Sequence, residues 1–228
     1  LESEINSKIK YNIITGYPKD YAKSKLRSQS RELRNKLNEV GAKKIIFSID
    51  ENSIDDSRWH TGHELQRENY SYICEKLLEI SWLGVIFKPK NAKTLRARLG
   101  PVNDILVAAE KTGRCLVLEE SGRHTTLASP LLAALASDIC IHGHLDSGTA
   151  ALECALAGMP TLLINREGNK KHKLNELPDN LIVHNNWPEA LKITIDHLKI
   201  SDGIPGFGDW SEFLDEYDPF RDGQAANR

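Results

Sequence analysis

The sequence predicts an α/β fold: a Rossmann-like, mostly parallel sheet with helices on both faces. Strand-like and helical segments alternate about six times with short connections. The strand-like runs are continuous Ile, Leu and Val rather than alternating, as in strands covered on both sides. The helical runs are punctuated by Pro near their starts and Gly at their ends.

The elements follow in chain order. A short apolar piece, "YNIITGYP", precedes a charged helix, "DYAKSKLRSQSRELRNKLNEVG", with Asp20 as its expected cap and Gly41 as its stop. Leu26, Leu33, Leu37 and Val40 give that helix one narrow apolar stripe. "KIIFSI" is the first strand, followed by the polar loop "DENSIDDSRWHTGHE" and a helix, "QRENYSYICEKLLEIS". "LGVIFK" is the second strand, ended by Pro89. "PVNDILVAAEKTG" is a helix between Pro101 and Gly113, and "RCLVLE" the third strand. "SPLLAALAS" is a short helix capped by Ser129, and "DICIH" the fourth strand. "SGTAALECALAG" is a helix closed by Gly158. "TLLIN" and "NLIVHN" are the fifth and sixth strands, and "WPEALKITIDHLKI" is the last helix. The expected organisation is an N-terminal arm or linker helix over 1–43, a Rossmann-like ligand-binding domain over 44–200 and a tail over 201–228.

Composition narrows the function classes. The chain has 228 residues, of which 40% are hydrophobic and 27% charged, which suits an ordinary packed core. A net charge of −2 creates no global field toward nucleic acid, so no nucleic-acid partner is expected. No run reaches the roughly 18 apolar residues of a membrane helix, and no secretory signal opens the chain. Leu1 is the first residue and Met159 the single methionine, so a trimmed or partial chain is expected. Cys74, Cys115, Cys140 and Cys154 form no CxxC pair and sit in apolar stretches, as reduced core thiols do.

Right-handed crossovers place every strand's carboxyl end on one edge of the sheet, where ligands bind near the switch in strand order. Asp50, Glu51 and Asn52 follow strand one there, and Lys88 and Lys90 follow strand two. Glu119, Glu120, Ser121, Gly122, Arg123 and His124 follow strand three, and Asn165 and Arg166 follow strand five. After strand four comes "HGHLDSGTAALECALAGMP". Ser147, Gly148 and Thr149 open its helix, where free N–H groups and the helix dipole attract a phosphate. Gly148 lets a phosphate approach the backbone, and Glu153, one turn on, can accept from sugar hydroxyls. Lys88 and Arg123 supply positive charge, and His142, a strand-end pocket residue, and Arg166 complete the candidate nucleotide or phosphate contacts. The alternative is a capped structural turn that binds nothing.

His142, His144 and Asp146 also match the opening of the HxHxDH ligand run of metallo-hydrolases. Ser147 stands where that run continues with histidine, and "WHTGH", with His60 and His63, is a loop pair of no clear ligand spacing. No metal is therefore expected. Glu119 and Glu120 are adjacent in an extended segment and point to opposite faces, which weakens an acid pair. "NREGNKKHK", residues 165–173, is a basic loop that reaches an anion or remains solvated. No P-loop and no G-x-G-x-x-G fingerprint is present, which disfavours ATPases and common NAD enzymes.

The stretch "SDICIHGHLDSGTAALECALAGMPTLLIN" resembles the C-terminal domain of GT-B glycosyltransferases. Those domains carry an apolar strand, a Ser-Gly-Thr turn, a helix with Glu, then Gly-x-Pro and a strand. Residues from about Lys44 to Lys199 fit that domain as a whole, and "LDEYDPFRDGQAANR" looks like the tail of bacterial surface-polysaccharide biosynthesis proteins. The resemblance implies donor phosphates at Ser147, Gly148 and Thr149 and a ribose or sugar contact at Glu153, with Lys88 and Arg123 as charge partners. It implies one GT-B half: the nucleotide-sugar-binding part of a glycosyltransferase in surface carbohydrate biosynthesis. Its partners are a nucleotide-sugar donor, a carbohydrate or lipid-linked acceptor and a missing N-terminal acceptor domain. Its location is cytoplasmic or peripheral at the inner membrane face. No cofactor is implied if the helix and basic residues neutralise the diphosphate. Eight positions past Glu153 stands Thr161, so the E-x7-E pair of many retaining members is absent, and no catalytic base is assigned. UDP-sugar 2-epimerases and glycerophosphotransferases share the architecture. A non-catalytic nucleotide-binding domain and a metal hydrolase are the rivals from other classes.

Overall fold

The computed structural model describes residues 13–19, 21–51, 53–55, 62–118, 130–145, 148–166 and 172–228. Six strands form a single parallel sheet: β1 (Lys44–Ile49), β2 (Leu83–Lys88), β3 (Cys115–Val117), β4 (Ile139–His142), β5 (Thr161–Ile164) and β6 (Val183–His184). Their order is β3-β2-β1-β4-β5-β6, and every pair is parallel. The chain runs outward from β1 to β3, then crosses back to place β4 beside β1. The switch point therefore lies between the carboxyl ends of β1 and β4, where Ile49 pairs with His142.

The strands alternate between two apolar layers. Ile46, Val85, Phe87, Ile139, Ile141, Leu162 and Ile164 pack on one face. There they meet α2 (His63–Glu79), α3 (Ala92–Leu99), α4 (Val102–Lys111) and α7 (Trp187–Lys199). Ile45, Phe47, Ile49, Ile86, Cys140 and Leu163 face the other way. That face meets α1 (Ala22–Glu39), α5 (Pro130–Ala136) and α6 (Thr149–Leu156). Continuous apolar strands are explained by this arrangement, because neither face reaches water. All four cysteines are free and buried, Cys74 and Cys115 in the first layer, Cys140 and Cys154 in the second.

Among the described residues, the sheet and the seven helices follow the predicted order, with one addition. α3, "AKTLRARL", has only Leu95 and Leu99 as buried apolar positions and is otherwise charged, so its periodicity is short. Asp20 and Ser129, the expected caps of α1 and α5, lie outside the described residues. α7 is capped by Asn186, whose side chain accepts from the Glu189 N–H at 2.9 Å.

The arm helix α1 is seated on the domain. Leu26 packs with Leu131 of α5, and Leu37 lies in the second layer. Arg34 donates to the Ala136 carbonyl at 3.2 Å and forks onto both Asp138 oxygens at 3.0 Å. Asp138 in turn accepts from the Ile45 N–H at 2.7 Å, tying the arm to the start of β1. The tail is packed too: Trp210 is buried and donates to the Thr161 carbonyl at 2.8 Å. Among the described residues, no helix is long and apolar enough to cross a membrane.

Candidate functional site

A cavity of about 470 Å³ opens at the carboxyl edge beside the switch point. β1 brings Asp50 and Glu51 to it, β2 brings Lys88 and Lys90, and α6 brings Thr149 and Glu153. Phe47, Ile49, Pro130 and Ala150 supply its apolar surface. Three of the residues singled out in the sequence, Lys88, Thr149 and Glu153, thus share one wall. Lys88 forms no ion pair among the described residues. Ser147 and Arg123, expected beside them, lie outside the described residues, as do Glu119, Glu120, His60, His124, Asp146 and most of the basic loop.

The acidic floor is built on a buried hydrogen-bond network. Asp50 accepts from Gln66 Nε2 at 2.8 Å, and the same nitrogen reaches the Glu51 carbonyl at 3.1 Å. Gln66 Oε1 accepts from Ser53 at 2.6 Å and from Arg98 Nη1 at 3.1 Å. Arg98, itself buried, also donates to Ser53 Oγ and to the Asn91 carbonyl. The second Asp50 oxygen, Oδ2, is buried without a hydrogen-bond partner. Burial pushes the Asp50 carboxyl up to about 6 against the pull of Gln66 and the Arg98 charge.

Glu51, the next residue, is shifted the opposite way. Partial burial raises it, but the neighbouring His142 and Lys90 outweigh this and bring it down to about 2. Lys90 Nζ stands 2.6 Å from Glu51 Oε2, and His142 Nε2 lies 3.9 Å from Oε1. His142 is fully buried behind Glu51; its Nδ1 faces the His144 carbonyl and its Nε2 has no hydrogen-bond partner. Neighbouring carboxyls therefore offer one ionised group and one that gains and loses a proton near neutrality, a pairing suited to proton transfer as well as binding.

The turn between β4 and α6 is fixed by Asn69 of α2. Its Oδ1 accepts from Trp187 Nε1 at 2.9 Å and from Arg166 Nη2 at 2.6 Å, and its Nδ2 faces His144 Nε2 at 3.3 Å. Asn69 approaches the turn so closely that a Cβ on Gly143 would stand 2.3 Å from Nδ2. Arg166 is engaged by this network: it pairs with Glu68 and donates to the Leu65 and Gly143 carbonyls. It is not among the described residues that line the cavity with Lys88 and Thr149.

Gly148 is also buried, against the protein rather than facing the cavity alone. A Cβ there would stand 2.5 Å from Leu174 Cδ1 and 3.3 Å from the Leu145 carbonyl. A side chain at 148 would disturb packing whether or not it blocks a ligand. Among the described residues, no three His, Cys, Asp or Glu side chains converge as metal ligands. His144 is turned to Asn69 and His142 to the His144 backbone, while Asp146 lies outside the described residues.

Sequence reasoning placed Asp50, Glu51 and Lys90 at this edge without choosing them as ligand contacts, although their position immediately after β1 and β2 is the signal. Tyr17 and Lys19 from the arm also reach the site, at Glu153, with no sequence signal.

No protein-family model matches the sequence, and no curated protein matches it. Solved structures do match its fold. The C-terminal domain of a glycosyl transferase group 1 family protein, LpcC, from Francisella tularensis superposes with a TM-score of 0.52 at 11% identity. The match covers 80% of this chain and 88% of that domain. Anabaena HepE, solved with UDP and glucose, superposes with a TM-score of 0.53 at 14% identity over 92% of this chain. It covers 52% of HepE, so the chain spans about half that protein's length. At these identities the likeness is one of fold: a six-stranded parallel Rossmann-like unit of the kind that forms one half of GT-B proteins.

Proposed function

We propose that this chain is the nucleotide-sugar-binding half of a glycosyltransferase of the GT-B type. The observation that carries the proposal is the cavity at the switch point. There Lys88, without an ion-pair partner among the described residues, lines the same cavity as Thr149, at the amino end of α6, and Glu153. The arrangement supplies a cation and helix N–H groups for a diphosphate, and a carboxylate for sugar hydroxyls. Ser147 and Arg123 belong to the same proposal as further phosphate contacts. The fold likeness to two glycosyltransferase-derived or nucleotide-bound structures favours this reading over an epimerase or glycerophosphotransferase. Transfer to a carbohydrate or lipid-linked acceptor, a role in surface carbohydrate synthesis at the cytoplasmic membrane face and completion by a separate acceptor-binding half extend the same reading.

Titration calorimetry of UDP, GDP, CDP and CMP in the presence of chelator tests it. One nucleoside diphosphate is expected to bind with a Kd below about 1 mM, equivalent to ~4 kcal/mol or more. Thr149→Ala and Lys88→Ala are each expected to weaken it about fivefold at an unchanged melting temperature. Absence of binding by all four ligands at millimolar concentration would overturn the proposal.

A further inference from the structure

Glu153 stands between two cavities. It lines the main cavity with Lys88 and Thr149, and it also lines a small one of about 60 Å³ with Tyr17, Lys19, Lys23, Asp218 and Arg221. Glu153 is the single residue common to the described linings of the two. Its carboxylate is buried, with a side-chain exposure of 6%, and polar neighbours offset the burial of such a group. The arm supplies two of them. Lys19 Nζ lies 3.6 Å from Glu153 Oε2, and Tyr17 lines the small cavity beside the same carboxylate.

We propose that the arm segment 13–19 completes the sugar side of this site: Tyr17, with Lys19, holds the Glu153 carboxylate toward the main cavity and is a positioning residue for ribose or sugar hydroxyls. The proposal rests on the nucleotide-sugar reading above. Among the described residues the two linings share Glu153 alone, so the arm residues do not line the larger cavity. Burial, and then the charge of Glu153, pushes the Tyr17 hydroxyl up to about 12, so it remains a donor at physiological pH. The arm is itself held by the tail. Gly16 packs against the Asp218 carboxylate, and Arg228 donates to the Thr15 carbonyl at 3.1 Å. Asp218 is buried, and its Oδ1 accepts from the Phe220 and Arg221 N–H groups at 3.1 Å. Lys19 is mostly exposed, so its share is the smaller and is screened by salt.

The test compares UDP with inorganic diphosphate by titration calorimetry on wild type, Tyr17→Phe, Glu153→Gln and the double variant, beside melting curves. Tyr17→Phe is expected to lower UDP affinity about tenfold while inorganic diphosphate stays within about twofold. Glu153→Gln gives the same pattern, and the double variant loses little more, because both changes act on one contact. A merely structural contact lowers the melting temperature and weakens both ligands equally, or neither; either result overturns this inference alone. Wild type that binds diphosphate but gains nothing from the nucleoside also overturns it. Wild type that binds neither ligand overturns the nucleotide-sugar reading and this inference with it.

Discussion

Two polar clusters lie at the carboxyl edge of the sheet, and they differ in what surrounds them. Around Asn69, the side chains of Trp187, Arg166 and His144 converge on one buried amide, and Glu68 covers the Arg166 guanidinium. Around the cavity, Asp50 Oδ2 and His142 Nε2 are buried without hydrogen-bond partners, and Lys88 has no ion pair among the described residues. Buried polar groups are ordinarily paired, and exceptions call for an explanation. The first cluster engages its side chains in holding β4, β5 and α7 together. The second lies at the cavity that the proposed function uses. Polar residues of the same types, drawn from adjacent strand ends, thus divide into architecture and, on the proposed reading, binding surface.

The comparison breaks most visibly at Asn69. Asn69→Ala leaves the Trp187 indole N–H and one Arg166 contact without an acceptor inside the protein. A cost of about 3–4 kcal/mol is expected, from two lost bonds and their unsatisfied donors. For a chain of this size that is a fall of roughly 10 °C in melting temperature, read by calorimetry. Nucleotide affinity measured well below the transition is expected to change little. An equal loss of affinity and stability would merge the two clusters into one.

How much of this division the sequence discloses depends on the range of the interactions. The strands are legible because each is a continuous apolar run, and their carboxyl ends follow from parallel order alone. The placement of Lys88, Thr149 and Glu153 at this edge is legible for the same reason: each ends a strand or lies in the helix that follows one. Arg166 occupies an equally suitable position, yet its partners Glu68 and Asn69 lie 98 and 97 residues away and could not be read from the local sequence. Gly148 reads as an opening for phosphate because the turn is local, whereas Leu174, which closes on it, comes from a distant short 3₁₀ segment, Lys173–Glu176. The tail carries no helix-length pattern, so burial of Trp210 and Asp218 could not be anticipated.

Protonation sharpens the comparison within the open cluster. The Asp50 carboxyl titrates near 6 in the folded chain against 3.8 when unfolded. Its contribution is therefore fully present below about pH 3.8 and is lost as pH rises toward 6 and beyond. Glu51, brought down to about 2, contributes stability that is present above about 4.5 and lost as pH falls toward 2. The two slopes oppose each other and place their joint optimum near pH 4–5. Asp50→Asn keeps an acceptor for Gln66 and removes the first slope. Relative to wild type it is expected to gain about 2–3 kcal/mol between pH 4 and pH 8. Denaturant unfolding at each pH reads this out, and a parallel loss in both proteins across that range would refute it.

The smallest expected change in stability, and the one that best separates the clusters, is at Lys90. Its ammonium sits 2.6 Å from Glu51, but the side chain is 60% exposed. An exposed pair of this kind contributes about 0–1 kcal/mol, because water and salt screen it. Lys90→Ala should therefore shift the melting temperature by no more than about 2 °C. Glu51 retains His142 as a neighbour, so the carboxylate is not left alone. Binding should respond differently. Removing a cation from the rim weakens attraction for a diphosphate, by an expected three- to fivefold at low ionic strength. The effect should fade above about 0.5 M salt, where the screening length falls to a few Å. Inorganic diphosphate titrated against both proteins across a salt series measures it. A fall in melting temperature on the scale of Asn69→Ala would show that Lys90 is architectural, and the division between an architectural and a proposed binding cluster would fail at that residue.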